Sequence, residues 1–114
     1  MTEIQGVAMI KIHPGKLEEF KRLAAKCMES ARTKDTGTLQ YELYLNSDST
    51  ECMVLERYRD SEALLEHLAN LGDTMAALMK TRSITGEVCG NPSPELRKSL
   101  EKAGVAIYAP YQAL

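Results

Sequence analysis

The hydrophobic period switches along this chain, and the order of the switches constrains the fold more than any other feature. Leu17, Phe20, Leu23, Ala24, Cys27, Met28 and Ala31 recur at three- and four-residue spacing, which places one apolar stripe on a helix. Glu18, Glu19, Lys21, Arg22, Lys26 and Glu29 fill the opposite face. The stripe fades near Lys34, and Gly37 breaks it. From Thr38 to Leu45 the period becomes two. Leu39, Tyr41, Leu43 and Leu45 share one face, and Thr38, Gln40, Glu42 and Tyr44 share the other, as in a strand. Asn46-Ser47-Asp48-Ser49 has turn composition, and Glu51 to Arg59 reads as a second strand, so the pair forms a hairpin.

The flanking segments complete the pattern. Ile4 to Ile12 is β-rich and largely apolar, which predicts a strand covered on both faces. Pro14-Gly15 ends it, and Pro14 suits the start of a helix. Asp60 or Ser61 is placed to cap a second helix, whose stripe is Leu64, Leu65, Leu68 and Leu71. Gly72-Asp73 interrupts that helix, and Met75, Leu78 and Met79 continue a helical pattern beyond. Ser83 to Gly90 is a fourth strand. Asn91-Pro92-Ser93-Pro94 launches a short helix through Leu96 and Leu100, Gly104 closes it, and Val105 to Tyr108 is a last strand. The order is β-α-β-β-α-β plus a C-terminal helix and strand. That is an α+β chain of the ferredoxin-like kind, with helices laid on an antiparallel sheet. The 114 residues fit a single domain, 1–114, with a core over about 4–90 and a C-terminal extension over about 91–114.

Such a sheet carries helices on one face only. Yet Val7, Ala8, Met9 and Ile10 are apolar at both parities, and so are Cys52, Met53, Val54 and Leu55. A face-to-face homodimer is the expected cover for the second face. A net charge of -2 points away from nucleic acid, which needs a basic surface. No apolar run approaches the roughly 18 residues that span a bilayer, so no membrane partner is expected. Met1-Thr2-Glu3-Ile4 lacks the pattern of a secretory signal. Cys27, Cys52 and Cys89 are odd in number and widely spaced, which predicts small buried residues rather than disulfides. Both observations lead to an expected cytoplasmic location.

Three stretches are familiar together. Pro14-Gly15-Lys16-Leu17-Glu18-Glu19-Phe20 resembles the strand-to-helix passage of the antibiotic biosynthesis monooxygenase family. Gly37-Thr38-Leu39-Gln40-Tyr41 resembles the start of that family's second strand. Glu56-Arg57-Tyr58-Arg59-Asp60-Ser61-Glu62-Ala63-Leu64-Leu65-Glu66-His67 is similar to its most recognisable stretch, where a strand ending in Glu-x-aromatic runs into a helix carrying a histidine. The resemblance covers roughly residues 4 to 90. It implies a dimeric α+β barrel and an oxidoreductase acting without a cofactor, with a small aromatic substrate, quinol-like or polyketide-like, and O2 as partners. The family also holds haem-degrading enzymes and an isomerase of a phosphorylated signalling sugar, so the fold alone does not settle function. Its haem-degrading members use Trp at the position of Tyr58. This chain has no Trp, which speaks against haem breakdown.

His67 is the expected catalytic base. It follows Leu64 by three and precedes Leu71 by four, so it lies near the apolar stripe and looks toward the sheet. Histidine exchanges protons near neutral pH, and removal of a phenolic proton would prime a hydroquinone for O2. Glu56 and Tyr58 lie two apart on one strand face and are expected to bind substrate, Glu56 through a hydroxyl or by orienting His67, Tyr58 as an aromatic wall. Tyr44 is a third substrate-binding candidate, as a hydrogen-bond donor. Tyr41 reads as packing, His13 as a turn residue and Arg82 as a solvated cation. The two histidines are not spaced as metal ligands, and no Gly-rich phosphate loop is present, so no metal or cofactor is expected. A non-catalytic dimeric module holding a small ligand, or an isomerase of the same family, stays open from the residues alone.

Overall fold

The protein is described by a computed structural model over residues 2–114; Met1, the first residue of the expected domain, lies outside them. The elements follow the periodicity closely. They are β1 (Ile4–Ile12), α1 (Leu17–Lys34), β2 (Thr38–Leu45), β3 (Glu51–Tyr58), α2 (Ser61–Leu71), α3 (Asp73–Leu78), β4 (Arg82–Cys89), α4 (Pro94–Lys102) and β5 (Ala106–Tyr108). The sheet order is β2-β3-β1-β4-β5. β1 sits in the middle and pairs antiparallel with both β3 and β4. β5 joins β4 in parallel, a pairing that requires a crossover, which α4 supplies. This is the ferredoxin-like α+β arrangement with one added helix and strand.

The helix boundaries have local causes. Asp60 caps α2: its Oδ1 accepts from the Ala63 N–H at 2.9 Å. Gly72, at φ 49°, turns the chain between α2 and α3, a conformation that glycine adopts without strain. Ser93 caps α4 by accepting from the Leu96 N–H at 3.2 Å, and Pro94 fills the first turn, where no N–H is needed.

The helices bury one sheet face in two clusters. In one, Phe20, Leu23 and Cys27 of α1 meet Ala8, Ile10, Cys52 and Val54 of the sheet. In the other, Ile4, Tyr58 and Val88 meet Leu64 of α2 and Leu96 and Leu100 of α4. Leu96 is fully buried, so the extension packs on its own subunit through α4 and β5.

Two expectations from the strand pattern need correction. A β-bulge shifts the β2–β3 register between Thr38 and Gln40, which takes Leu39 off the core face and leaves it 50% exposed. Thr38 instead pairs with Tyr58. Cys27 and Cys52 are buried as expected, but Cys89 is exposed. The second sheet face also lacks cover within one chain. Val7 is 43% exposed and Met53 39%, and they lie beside half-buried Met9 and Leu55.

Gly37 reports how tightly the β2 start docks on α2. A Cβ at Gly37 would lie 2.6 Å from the Ala63 Cβ, closer than two carbons can approach. Gly37→Ala is therefore expected to lose about 1–3 kcal/mol through overpacking. Urea unfolding measures this; an unchanged midpoint would show that the contact is slack.

Candidate active site

A carboxylate that the sequence pattern did not single out organises the site. Asp35 lies in the short connection from α1 to β2, and its side chain is completely buried. Two contacts hold the connection against its neighbours. The Thr36 N–H donates to Glu66 Oε1 at 2.7 Å, and the Arg59 N–H donates to the Gly37 carbonyl at 2.8 Å. His67 and Asn70 are three apart on α2, so they share a face and both reach Asp35. Asn70 Nδ2 donates to Asp35 Oδ1 at 2.9 Å. Thr38 Oγ1 donates to Asp35 Oδ2 at 2.7 Å, and His67 Nδ1 lies 2.7 Å from the same oxygen.

The charge state of this cluster follows from its donors. Burial pushes the Asp35 carboxyl up, but the hydrogen bonds from Asn70, Thr38 and His67 outweigh it and hold the group below the usual carboxylate range. An ionised carboxylate only accepts, so the proton of the 2.7 Å contact sits on His67 Nδ1. Nε2 is then the nitrogen left to take a proton from a ligand. His67 is 2% exposed and lies between two aromatic rings. The Tyr41 ring meets it edge-on at 4.9 Å, and the Tyr58 ring lies tilted at 5.3 Å.

A depressed carboxyl pKa is also a stability statement. Asp35 contributes stability that is fully present above its unfolded value, about 3.9, and is lost as pH falls through its lower folded value. The stability advantage of the native protein over Asp35→Asn should be constant from about pH 5 to 7 and shrink below about pH 4. Denaturant midpoints of both proteins across that range measure it. A gap that stays constant down to pH 2.5 would contradict the assignment.

The sheet supplies the remaining polar groups. Glu56 and Tyr58 share the helix-facing side of β3, and the Tyr58 hydroxyl donates to Glu56 Oε1. Burial pushes the Tyr58 phenol far up, and the neighbouring Glu56 charge adds to it. Tyr41, opposite Glu56 on β2, is pushed up by burial and by Cys27 and Glu56, and its hydroxyl interacts with the Cys27 thiol. Arg82 is 7% exposed, which corrects the expectation of a solvated cation. Burial pulls its pKa below the ordinary guanidinium value, while Cys27 and Tyr41 oppose that shift.

The structure thus brings together His67, Tyr58 and Glu56 of the expected site residues. Tyr44 is elsewhere: it lies on the open sheet face, 52% exposed, and its hydroxyl donates to Glu42 at 2.9 Å. Glu56 holds Tyr58, while the orienting role toward His67 falls to Asp35. Tyr41, which read as packing, does pack against the core and also meets the His67 ring. No local signal marks Asp35, because its partner His67 is 32 residues away. Among the described residues no three His, Cys, Asp or Glu side chains converge as a metal would require. An open groove of about 290 Å³ runs between α1 and the sheet, lined by Phe20, Ala24, Met28, Leu43, Leu45 and Cys52. Leu43 and Leu45 continue the Tyr41 face of β2, so the groove lies along the same side of the sheet as the site.

Comparisons with known proteins agree with this architecture. The antibiotic biosynthesis monooxygenase family model matches residues 6–80. No curated protein matches the sequence. Among solved structures, MupZ from Pseudomonas fluorescens is 26% identical, with a TM-score of 0.84 over 100% of this chain and 90% of that one. Rv0793 from Mycobacterium tuberculosis is 22% identical, with a TM-score of 0.65 over 75% of this chain and 92% of that one. SnoaB from Streptomyces nogalater, a cofactor-independent oxygenase, is 18% identical, with a TM-score of 0.68 over 77% of this chain and 91% of that one.

Proposed function

The chain belongs to the antibiotic biosynthesis monooxygenase family, and from that premise we propose that it oxygenates a hydroquinone-like aromatic with O2 and no cofactor. The observation that carries this reading is a buried histidine, oriented through Nδ1 by an ionised carboxylate and flanked by two tyrosine rings. A flat aromatic enters along the groove between α1 and β2, and Tyr41 and Tyr58 move aside to stack on it. His67 Nε2 then takes a phenolic proton, and Asp35 stabilises the imidazolium that results. The phenolate transfers one electron to O2, giving a semiquinone and superoxide. These combine through a new C–O bond to a peroxide, which accepts the proton back. Loss of the ring C–H proton breaks the O–O bond and releases water. For menadiol the balance is menadiol + O2 → hydroxymenadione + H2O. Tyr58, its hydroxyl donated to Glu56, serves as an aromatic wall beside the ring.

The subunit works as a homodimer in this reading, with the open sheet face buried against a second copy. Val7, Met9, Met53 and Leu55 form its apolar centre, and charged or polar side chains such as Lys11, Glu51 and Arg57 surround them. That anatomy, an apolar middle with a polar rim, suits a protein interface.

An oxygen electrode tests the function with menadiol. Uncatalysed oxidation gives menadione and hydrogen peroxide, so product identity separates the two routes. Uptake above the blank with hydroxymenadione as product is the expected result, and uptake equal to the blank rejects it. One feature favours a second reading. A base held by Asp35 in a buried setting also suits a proton transfer that needs no O2. Turnover that persists under argon would select that reading.

A further inference from the structure

Arg82 enters the core from the first position of β4, where it pairs with Ile12 of β1. No carboxylate lies within ion-pair distance of it among the described residues. Its Nη2 contacts only the Met75 thioether, at 3.5 Å, and sulfur of that kind is a weak acceptor. Its Nε is buried without any hydrogen-bond partner, alone in this among the side-chain nitrogens and oxygens of the described residues. A buried guanidinium normally has a paired anion, because desolvating it alone is costly. Nε and Nη2 together form one edge of the planar group, the edge that holds the two oxygens of a carboxylate side by side.

The surroundings set no negative charge against the guanidinium. Cys27 and Tyr41 are the titratable side chains that Arg82 senses, and both are neutral at ordinary pH. Tyr41, one of these two, also touches the His67 ring. The sheet below is lined by Gly6, Ala8 and Gly86, whose side chains take almost no space. A Cβ on Gly86 would meet only sheet atoms, the closest being the Val7 carbonyl oxygen at 3.4 Å.

We infer that Arg82 anchors a carboxylate of the substrate through its Nε–Nη2 edge, which makes the substrate an aromatic acid. The inference rests on the oxygenase reading for which ring reacts, but the anchor itself is a binding property. The acid sits on Arg82, and the ring extends past Tyr41 toward His67. The pairing completes a hydrogen-bond set that the free protein leaves open.

Calorimetry with two unreactive probes, 2-naphthoate and 2-naphthamide, tests the anchor without turnover. The native protein should bind the acid at least tenfold more tightly than the amide. Arg82→Met should remove that preference by weakening the acid and not the amide. Arg82→Lys keeps a charge without the two-donor edge and should fall between. Arg82→Met should also melt no lower than the native protein, because it removes an unpaired buried cation. Equal binding of acid and amide by the native protein, or failure of both to bind, would overturn the inference without recourse to any variant. So would an Arg82→Met protein that binds the acid as well as the native one. Menadiol carries no carboxylate, so its oxidation stands or falls separately. Acid-selective binding without menadiol turnover would leave the anchor and reject the oxygenase.

Discussion

His67→Ala is expected to lower kcat for hydroquinone oxidation by about 10²–10⁴-fold, the usual worth of a positioned general base. The loss should fall on kcat more than on KM, since the two tyrosine walls remain. Asp35→Asn should also lose rate, because an amide can donate to Nδ1 and shift the imidazole proton to Nε2. The residual rate in His67→Ala should rise with pH, as solvent hydroxide replaces the missing base. His67 is itself buried within the stripe of Ala63, Leu64 and Leu71, so the far-UV spectrum and melting temperature of His67→Ala are compared with the native protein's before its rate is read. Steady-state oxygen uptake, corrected for the blank, measures all of this. Unchanged kcat in His67→Ala would remove the histidine from the mechanism.

The second large effect concerns assembly. Val7→Asp combined with Met53→Asp is expected to dissociate the proposed homodimer. Val7 and Met53 project from the open side of adjacent strands, opposite the helices. Breaking into such an interface with unpaired charge costs about 3–5 kcal/mol, and each 1.4 kcal/mol is tenfold in Kd, so Kd should rise by about two to three and a half orders of magnitude. Light scattering should show a particle of twice 12.7 kDa for the native protein and of 12.7 kDa for the variant. A native protein that runs as a single copy at micromolar concentration would reject the dimer. His67, Tyr58, Tyr41 and Arg82 all face the helices, so the substitutions touch none of them.

The elements were legible in the sequence because each carries its own period. The α1 stripe from Leu17 to Ala31 and the alternation from Tyr41 to Leu45 need no information from elsewhere in the chain. The same holds for the break at Gly72, the cap at Asp60 and the turn at Asn91-Pro92-Ser93-Pro94. Leu39 misleads because a bulge is a property of the pairing between β2 and β3, and its strand alone reads as regular alternation. Cys89 misleads for a related reason: it falls on the strand parity that faces away from the helices.

The site was only half legible. His67 stood out through its place in a helical stripe, and Glu56 with Tyr58 through their two-residue spacing. Asp35 carries no such mark. It sits where a helix pattern fades, and only the folding of α2 back over β2 brings it to His67. Tyr44 was placed on the face opposite Tyr41 by its strand parity, but parity alone does not say that the helices and His67 lie on the Tyr41 side. Arg82 is the plainest failure of pattern reasoning. An arginine at a strand start is ordinarily solvated, and its burial depends on α3 and Met75 closing over it.

The proposed chemistry requires that an aromatic ligand reach the Asp35-held imidazole inside the subunit. The chain has two histidines, and His13 is exposed in a turn, so it serves as an internal reference. Imidazole ¹⁵N spectra of the labelled protein during a titration with 2-naphthol, a phenol that cannot react further, read the claim out directly. A saturable shift of the His67 Nε2 resonance is expected, with Nδ1 still protonated toward Asp35 and His13 unmoved. A His67 spectrum that stays unchanged at saturating ligand would contradict it.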